Sequence, residues 1–429
     1  MSSIKHRYRK FFLDATALIG GASAAKIIGI MLVPVVTRLY DPGDFGVVAL
    51  LLSIVMVFGT IAALRYDHAI ILPDNDLVSL KLVKLSFIFI LITASILFLF
   101  AFLAINNFTE FSLIKNMGDW LYVVPLLVIL TGAGNVLSNW CTRKTRYKLI
   151  GSSEVSVSLV LSGTRILMGG ALGSSILGLI LGNILGLISK IIVLMQSPFK
   201  KDLDINTADC DYGLVTVAKR YKEFPLYSAP TGVHNALFQK LPVIMLGVMF
   251  LPGVVGLYAM ASRLTRLPID IISLPIRRIY MQRISKSYNE NRNIKAMLVK
   301  TTIGLFVLGL IPFMLIAIFG EVLFAFVLGE KWGQSGVYAS ILVPWLFSVF
   351  IITPSSSNFV VLKKQALWFR VQLYNGALGV AVFAAGYLLE MSVENILVLF
   401  SIMGACANIG VFIVAFAITM KSDAKVISN

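Results

Sequence analysis

Five basic side chains lie where the sequence is otherwise apolar: Lys26, Arg165, Lys240, Arg263 and Arg266. Each sits well inside a stretch long enough to cross a bilayer, where a lipid-facing cation costs roughly 2.5–3.5 kcal/mol. Five would cost roughly 12–17 kcal/mol, as much as the whole stability of many domains, so they are expected to line an interior cavity that holds a ligand. Arg263, Arg266 and Asp270 fall at i, i+3 and i+7, with Arg277 two turns further, and so project from one helix face. The i to i+4 spacing of Arg266 and Asp270 also allows a mutually neutralising pair, and Lys26 and Lys240 have snorkelling to an interface as their alternative. Embedded acids are fewer: Asp270, with Asp14, Glu154 and Glu223 near the ends of apolar stretches. A net positive, wet lumen suits a ligand with an anionic group such as a pyrophosphate and disfavours organic cations. His234 and Asp270 are the interior groups able to change protonation, which makes them candidates for proton or ion coupling; packing is the alternative for the histidine.

The elements that must position these groups are membrane helices. Of the 429 residues 58% are hydrophobic and 14% charged, against roughly 45–50% and about 25% in soluble domains. A soluble fold could not bury that much apolar surface, which excludes a soluble enzyme. Apolar runs near 13–36, 45–65, 83–105, 119–140, 152–171, 174–195, 224–250, 254–277, 298–320, 335–355, 368–389 and 396–419 predict twelve spans. With the N-terminus inside, the inner segments hold most of the 37 Lys and Arg, while the outer loops hold Arg38, Lys115 and Lys331. That bias predicts both termini on the cytoplasmic side, and it accounts for the +16 net charge without nucleic acid. Lys5 to Lys10 then reads as a cytoplasmic anchor, not part of a removed signal peptide. Trp120, Trp140, Trp332 and Trp368 fall near span ends, where amphipathic rings settle; Trp345 does not. Cys141, Cys210 and Cys406 lie far apart and suggest neither a disulfide framework nor a metal site.

The chain echoes itself. Pro42-Gly43-Asp44-Phe45-Gly46-Val47-Val48-Ala49 matches Pro252-Gly253-Val254-Val255-Gly256-Leu257-Tyr258-Ala259 as PGxxGxxA, and Ser138-Asn139-Trp140 matches Ser357-Asn358-Phe359. An even repeat of six helices places both halves in one orientation about an axis along the membrane normal. The fold class expected is therefore an all-α polytopic membrane protein of about twelve helices. Its two six-helix lobes would be 1–196 and 224–429, joined by a cytoplasmic linker at 197–223 and enclosing a central cavity. Prolines concentrate in the second half, with Pro230 and Pro242 in the seventh span and Pro268 and Pro275 in the eighth, where kinks suit a cavity wall. No GxxxxGK[ST] loop and no HExxH helix occur, and the longest predicted outer loop, about 106–118, is too short for a catalytic domain. A transporter without a cofactor is the expectation, with a polymerase or ligase as an unfavoured alternative.

Thr37-Arg38-Leu39-Tyr40-Asp41-Pro42-Gly43-Asp44-Phe45-Gly46, followed by Leu64-Arg65-Tyr66-Asp67-His68-Ala69-Ile70-Ile71-Leu72-Pro73, resembles the N-terminal signature of the Wzx-type oligosaccharide flippases. These belong to the MOP superfamily with the MATE exporters and the lipid II flippases. The resemblance is most specific over the first hundred residues. It implies a MATE-like two-lobed fold in the bacterial inner membrane. The cargo it implies is an undecaprenyl-pyrophosphate-linked oligosaccharide, for O-antigen, lipopolysaccharide or a related polysaccharide, carried from the cytoplasmic to the periplasmic leaflet by alternating access. The partners implied are the lipid bilayer, the lipid-linked cargo, and polymerase and chain-length machinery. The family's cationic cavity maps by position onto Lys26, Arg165, Arg263 and Arg266. Arg65 and Asp67, at the inner end of the second span, become candidates for an inner gate, with a structural turn before Pro73 as the alternative. The runner-up is a MATE-type cation-coupled exporter of small molecules.

Overall fold

The computed structural model describes residues 2–196, 213–290 and 292–428, with side chains except at 2–19, 22, 172 and 424–428. Most of the expected linker, with Cys210, and the side chains of Lys5 to Lys10 and Asp14 therefore lie outside what is described. No strand occurs among the described residues. The long helices of the first half are α1 (Ser2–Leu39), α2 (Pro42–Ile61), α3 (Asp76–Asn107), α4 (Val123–Arg143), α5 (Tyr147–Leu172) and α6 (Ile176–Met195). Those of the second are α7 (Ala229–Met249), α8 (Pro252–Thr265), α9 (Leu274–Asn289), α10 (Lys295–Leu328), α11 (Gly333–Ile352), α12 (Gln365–Leu388) and α13 (Val393–Ser428). The apolar runs become these helices, the eighth run being shared by α8 and α9, and the chain is an all-α multi-pass membrane fold.

Local chemistry sets the boundaries. Pro42 and Pro252 each open a helix, where the missing N–H is no loss, so the two copies of PGxxGxxA play one structural part. The Asn75 side chain accepts a hydrogen bond from the Leu77 N–H at 2.8 Å and caps α3. Gly329, with φ at 106°, ends α10 in a conformation closed to most side chains. Two π turns, Phe224–Ser228 and Ile269–Ser273, interrupt the helical path beside Pro225 and Pro230 and beside Pro268 and Pro275. Of the prolines expected as kinks, Pro230, Pro268 and Pro275 stand beside π turns, whereas Pro242 lies inside the continuous helix α7.

By internal contacts the chain divides into Met1–Val255 and Gly256–Asn429. In the first unit α1 lies against α5 through small residues. A side chain at Gly21 would collide with the Gly151 backbone, and Ser158 donates to the Ala25 carbonyl at 2.8 Å. Without a hydrophobic force between helices in lipid, such close backbone approach is what holds them together. α7 runs antiparallel along α2, with Gly232 beside Thr60 and Gly247 beside Leu50, which is why it belongs to this unit. In the second unit Gly320 of α10 and Gly336 of α11 bring their backbones together. Trp345, the tryptophan not at a span end, stands edge-on to Phe400 at 4.8 Å and fills the space left by Gly404.

The second sequence echo also has a counterpart inside each unit. The Asn139 amide points at the Asp67 carboxylate at 3.5 Å, beyond the end of α2. Asn358 accepts from the Tyr280 hydroxyl at 2.8 Å and donates to Thr419 at 2.8 Å, so it too is tied to the chain beyond the second helix of its half. Each segment then turns through a left-handed residue, Thr145 and Lys363, both with φ of 55°.

Candidate functional site

Among the described residues eight helical segments are long and apolar enough to cross a membrane on length and composition: Pro42–Ile61, Asp76–Asn107, Ser112–Arg143, Ile176–Met195, Lys295–Leu328, Glu330–Val361, Gln365–Leu388 and Val393–Asp423. The helices that complete the twelve are α1, α5, α7 and α8. These four carry Lys26, Arg165, Lys240 and Arg263, together with His234, and Arg266 stands at the first position beyond α8. α1 and α5 expose large apolar side chains as well, Met31 and Leu167, so these two helices present both an apolar and a charged surface.

Lys26 and Arg263 are exposed and Arg266 is half-buried, and among the described residues none has a carboxylate within ion-pair distance. The pairing of Arg266 with Asp270 that their spacing allows is not formed. Asp270 lies on the π turn, where Pro268 leaves the Arg266 carbonyl to accept from both Ile269 and Asp270. That turn inserts a residue into the helical path, so Arg277 leaves the i to i+7 register that would have placed it on the stripe. Arg165 is in a different setting, 7% exposed within the first unit. Its backbone carbonyl accepts from Tyr40 at 2.7 Å, and its stem occupies space left by Gly182 of α6, where a Cβ would come within 2.8 Å of the Arg165 Cγ. Lys240 is half-buried on α7. His234, also on α7, meets Phe238 edge-on with centroids 4.4 Å apart.

The inner end of α2 holds the most constrained backbone. Leu64 and Arg65 are consecutive left-handed residues with φ of 46° and 63°, a conformation that costs non-glycine residues energy and persists only where surroundings enforce it. The reversal turns the Arg65 guanidinium onto Gly232 of α7, where any side chain would strike it. Arg65 Nη1 lies 2.6 Å from His68 Nε2, and its buried Nε has no hydrogen-bond partner. Asp67 is buried beside them, its carboxylate 3.8 Å from the same His68 nitrogen. Burial pushes the Asp67 carboxyl above the usual carboxylate range, against the opposing pull of His68 and Arg65.

A clasp fixes the following turn. Arg143 at the end of α4 donates to Asp76 at 2.9 Å and to the carbonyls of Ile70, Pro73 and Asp74, and Lys144 meets the other Asp76 oxygen at 2.6 Å. The hydrogen bond from Lys144, with those from Arg143, holds Asp76 below the ordinary carboxylate range. Neither the clasp nor the part taken by Gly232 is evident from residue types, because their partners lie roughly seventy or more positions apart; His68 lies three residues from Arg65, but their contact depends on the left-handed turn between α2 and His68. The Lys190–Glu154 pair at 2.7 Å similarly joins residues far apart in sequence. Among the described residues no three His, Cys, Asp or Glu converge as a metal site would require.

An inward-facing multidrug resistance MATE transporter of the MOP superfamily superposes with a TM-score of 0.70 at 13% identity, over 95% of this chain and 99% of its own. The lipid II flippase MurJ, in an inward closed conformation, gives 0.70 at 13% identity, over 97% of this chain and 92% of its own. A MOP superfamily transporter from Pyrococcus furiosus gives 0.58 at 12%, over 96% and 95%. No curated protein matches in sequence. The family model described as polysaccharide biosynthesis protein matches residues 35–336, a stretch that takes in both sequence signatures and every candidate residue except Lys26. With that match spanning well over half of its length, the chain belongs to the polysaccharide biosynthesis protein family and has the fold of the MOP superfamily transporters.

Proposed function

We propose that the protein is a flippase that moves an undecaprenyl-pyrophosphate-linked oligosaccharide, an O-antigen or related repeat unit, from the cytoplasmic to the periplasmic leaflet of the bacterial inner membrane. The observation that supports this most is the set of cations that have no carboxylate partner among the described residues, Lys26 on α1 and Arg263 and Arg266 at the end of α8, in a member of the polysaccharide biosynthesis family. A diphosphate supplies the balancing charge, and charge-assisted hydrogen bonds from guanidinium to phosphate are among the strongest a site can offer. In this reading the diphosphate and first sugars enter between two six-helix lobes, 1–196 and 224–429, while the polyprenyl tail stays in lipid. Lys240 and Arg165 add positive potential, Arg65 and Asp67 close the inner side, and His234 and Asp270 carry the coupling proton or ion. The termini face the cytoplasm, and polymerase and chain-length proteins take the product.

Replacing Arg263 by Ala in cells that have no other flippase of this kind is expected to cut surface polysaccharide about tenfold or more, as loss of a charge-assisted contact worth ~1.5–3 kcal/mol implies, while the lipid-linked unit accumulates. Normal surface polysaccharide would remove Arg263 from the mechanism. The equal fold similarity to a multidrug MATE transporter supports one other reading, cation-coupled export of small molecules. Drug resistance conferred by expression, with unchanged polysaccharide in a deletion strain, would favour it.

A further inference from the structure

We propose that His68 is a positioning residue that holds Arg65 against α7 while its imidazole is neutral, and that a proton on His68 unseats Arg65 and so opens the inner end of α2. The proposal rests on the gating part given to Arg65 above and adds the group that controls it. Arginine has only donors, so at 2.6 Å the His68 Nε2 must present its lone pair and carry no proton. Among the described residues that nitrogen is the hydrogen-bond partner that steadies the Arg65 guanidinium, whose buried Nε has none. A proton arriving at Nε2 removes the acceptor, sets two cations in contact, and gives the imidazolium a new partner in the Asp67 carboxylate 3.8 Å away. His68 is exposed enough to receive it, with half of its side chain accessible.

The two positive-φ residues give this exchange a backbone consequence. Leu64 and Arg65 hold a costly conformation, and the guanidinium lies over Gly232 where α7 has no side chain. Releasing Arg65 frees the turn from α7. The elements around it carry other charged and titratable groups, among them Lys219 and Arg220 on the 214–220 helix, whose Ala218 carbonyl accepts from Tyr66, and Glu223 before Phe224–Ser228. α4 presents the neutral Asn139 and carries Arg143; α7 carries His234 and Lys240; Phe224–Ser228 carries Tyr227; α3 carries Lys81, Lys84 and Asp76, the last engaged by Arg143 and Lys144. Among the described residues the carboxylate within ion-pair distance of His68 is that of Asp67. In the second half the corresponding Asn358 meets Tyr280 and Thr419, so this proton-responsive arrangement belongs to the first unit.

The test is a spin-label distance within the first unit, between Cys placed at the exposed Leu72 and Asn235 after Cys141, Cys210 and Cys406 are replaced by Ala, in lipid nanodiscs without cargo. Samples are compared at about pH 5.5 and about pH 8. The distance distribution is expected to shift between these two in the otherwise native protein. His68→Gln, which can accept from Arg65 but cannot become a cation, should keep the high-pH distribution at both; His68→Lys should show the low-pH one at both. A native distribution that does not move, or a shift that survives His68→Gln, overturns the proposal. Nitrogen NMR of the three histidines gives a reading that no substitution can disturb: His68 should carry its proton on Nδ1 at pH 8, and a proton on Nε2 overturns it as well. Because neither readout involves cargo, their failure leaves the flippase reading standing, and a failure of that reading leaves these distances as they are.

Discussion

Among the described residues Arg263 and Arg266 have no carboxylate in reach, which is why an anionic cargo is proposed for them. The residue types and their depth in apolar stretches were legible in the sequence; their pairing was not. Arg266 and Asp270 have helical ion-pair spacing yet stand apart because a π turn intervenes, while Lys190 finds Glu154 on a neighbouring helix. Asp76 offers a separate prediction at this scale. Its carboxyl is held below the usual range by Lys144 and Arg143, so its folded value lies beneath the ~3.9 of an unfolded chain. A depressed folded value gives stability that is present above about pH 4 and is lost as the pH falls through it. Asp76→Asn should therefore melt below the native protein at pH 6–8, and the gap should close as the pH drops below about 4. A gap that stays constant down to pH 3 would contradict the assignment.

Among the elements, glycine spacing decides which helices touch. Gly320 and Gly336 bring α10 and α11 into backbone contact, and a Cβ at 336 meets main chain, which cannot swing aside as a side chain can. Gly336→Ala is expected to cost about 2–3 kcal/mol of stability, the range of an overpacked core. Gly304→Ala, on the same α10 but with nothing within 4 Å, should be neutral or slightly stabilising, since alanine favours helix by up to ~1 kcal/mol. Thermal unfolding in detergent separates the two, and equal effects would show that the contact does not govern the pairing. The existence and order of the helices could be read from apolar runs alone. Their interruptions could not: prolines at 230, 242, 268 and 275 announced bends, but Pro242 stays within a continuous helix while the others flank π turns, a choice that depends on neighbours that satisfy the backbone.

For the whole molecule, the apolar excess pointed to about twelve helices, and the basic excess mostly to orientation. The four helices left over once the clearly apolar eight are set aside carry the cations from which function was first argued, with Arg266 just beyond α8. Duplication is an expectation resting on two short echoes, whose residues occupy similar places: the proline that opens α2 and α8, and the asparagine tied to the segment beyond them. The inner-end cluster of Arg65, His68 and Gly232 was hidden, because bringing residue 65 to residue 232 requires the packing of α7 on α2. The central claim is that an anionic, lipid-linked saccharide crosses the membrane on these cations. Purified protein reconstituted in liposomes with a polyprenyl-diphosphate oligosaccharide tests it directly, by the fraction of sugar that becomes accessible to an added glycosidase. The account predicts transfer by the native protein and loss of about tenfold or more in Lys26→Glu with Arg263→Glu. An absence of transfer by the native protein, or transfer unchanged by the double substitution, would contradict it.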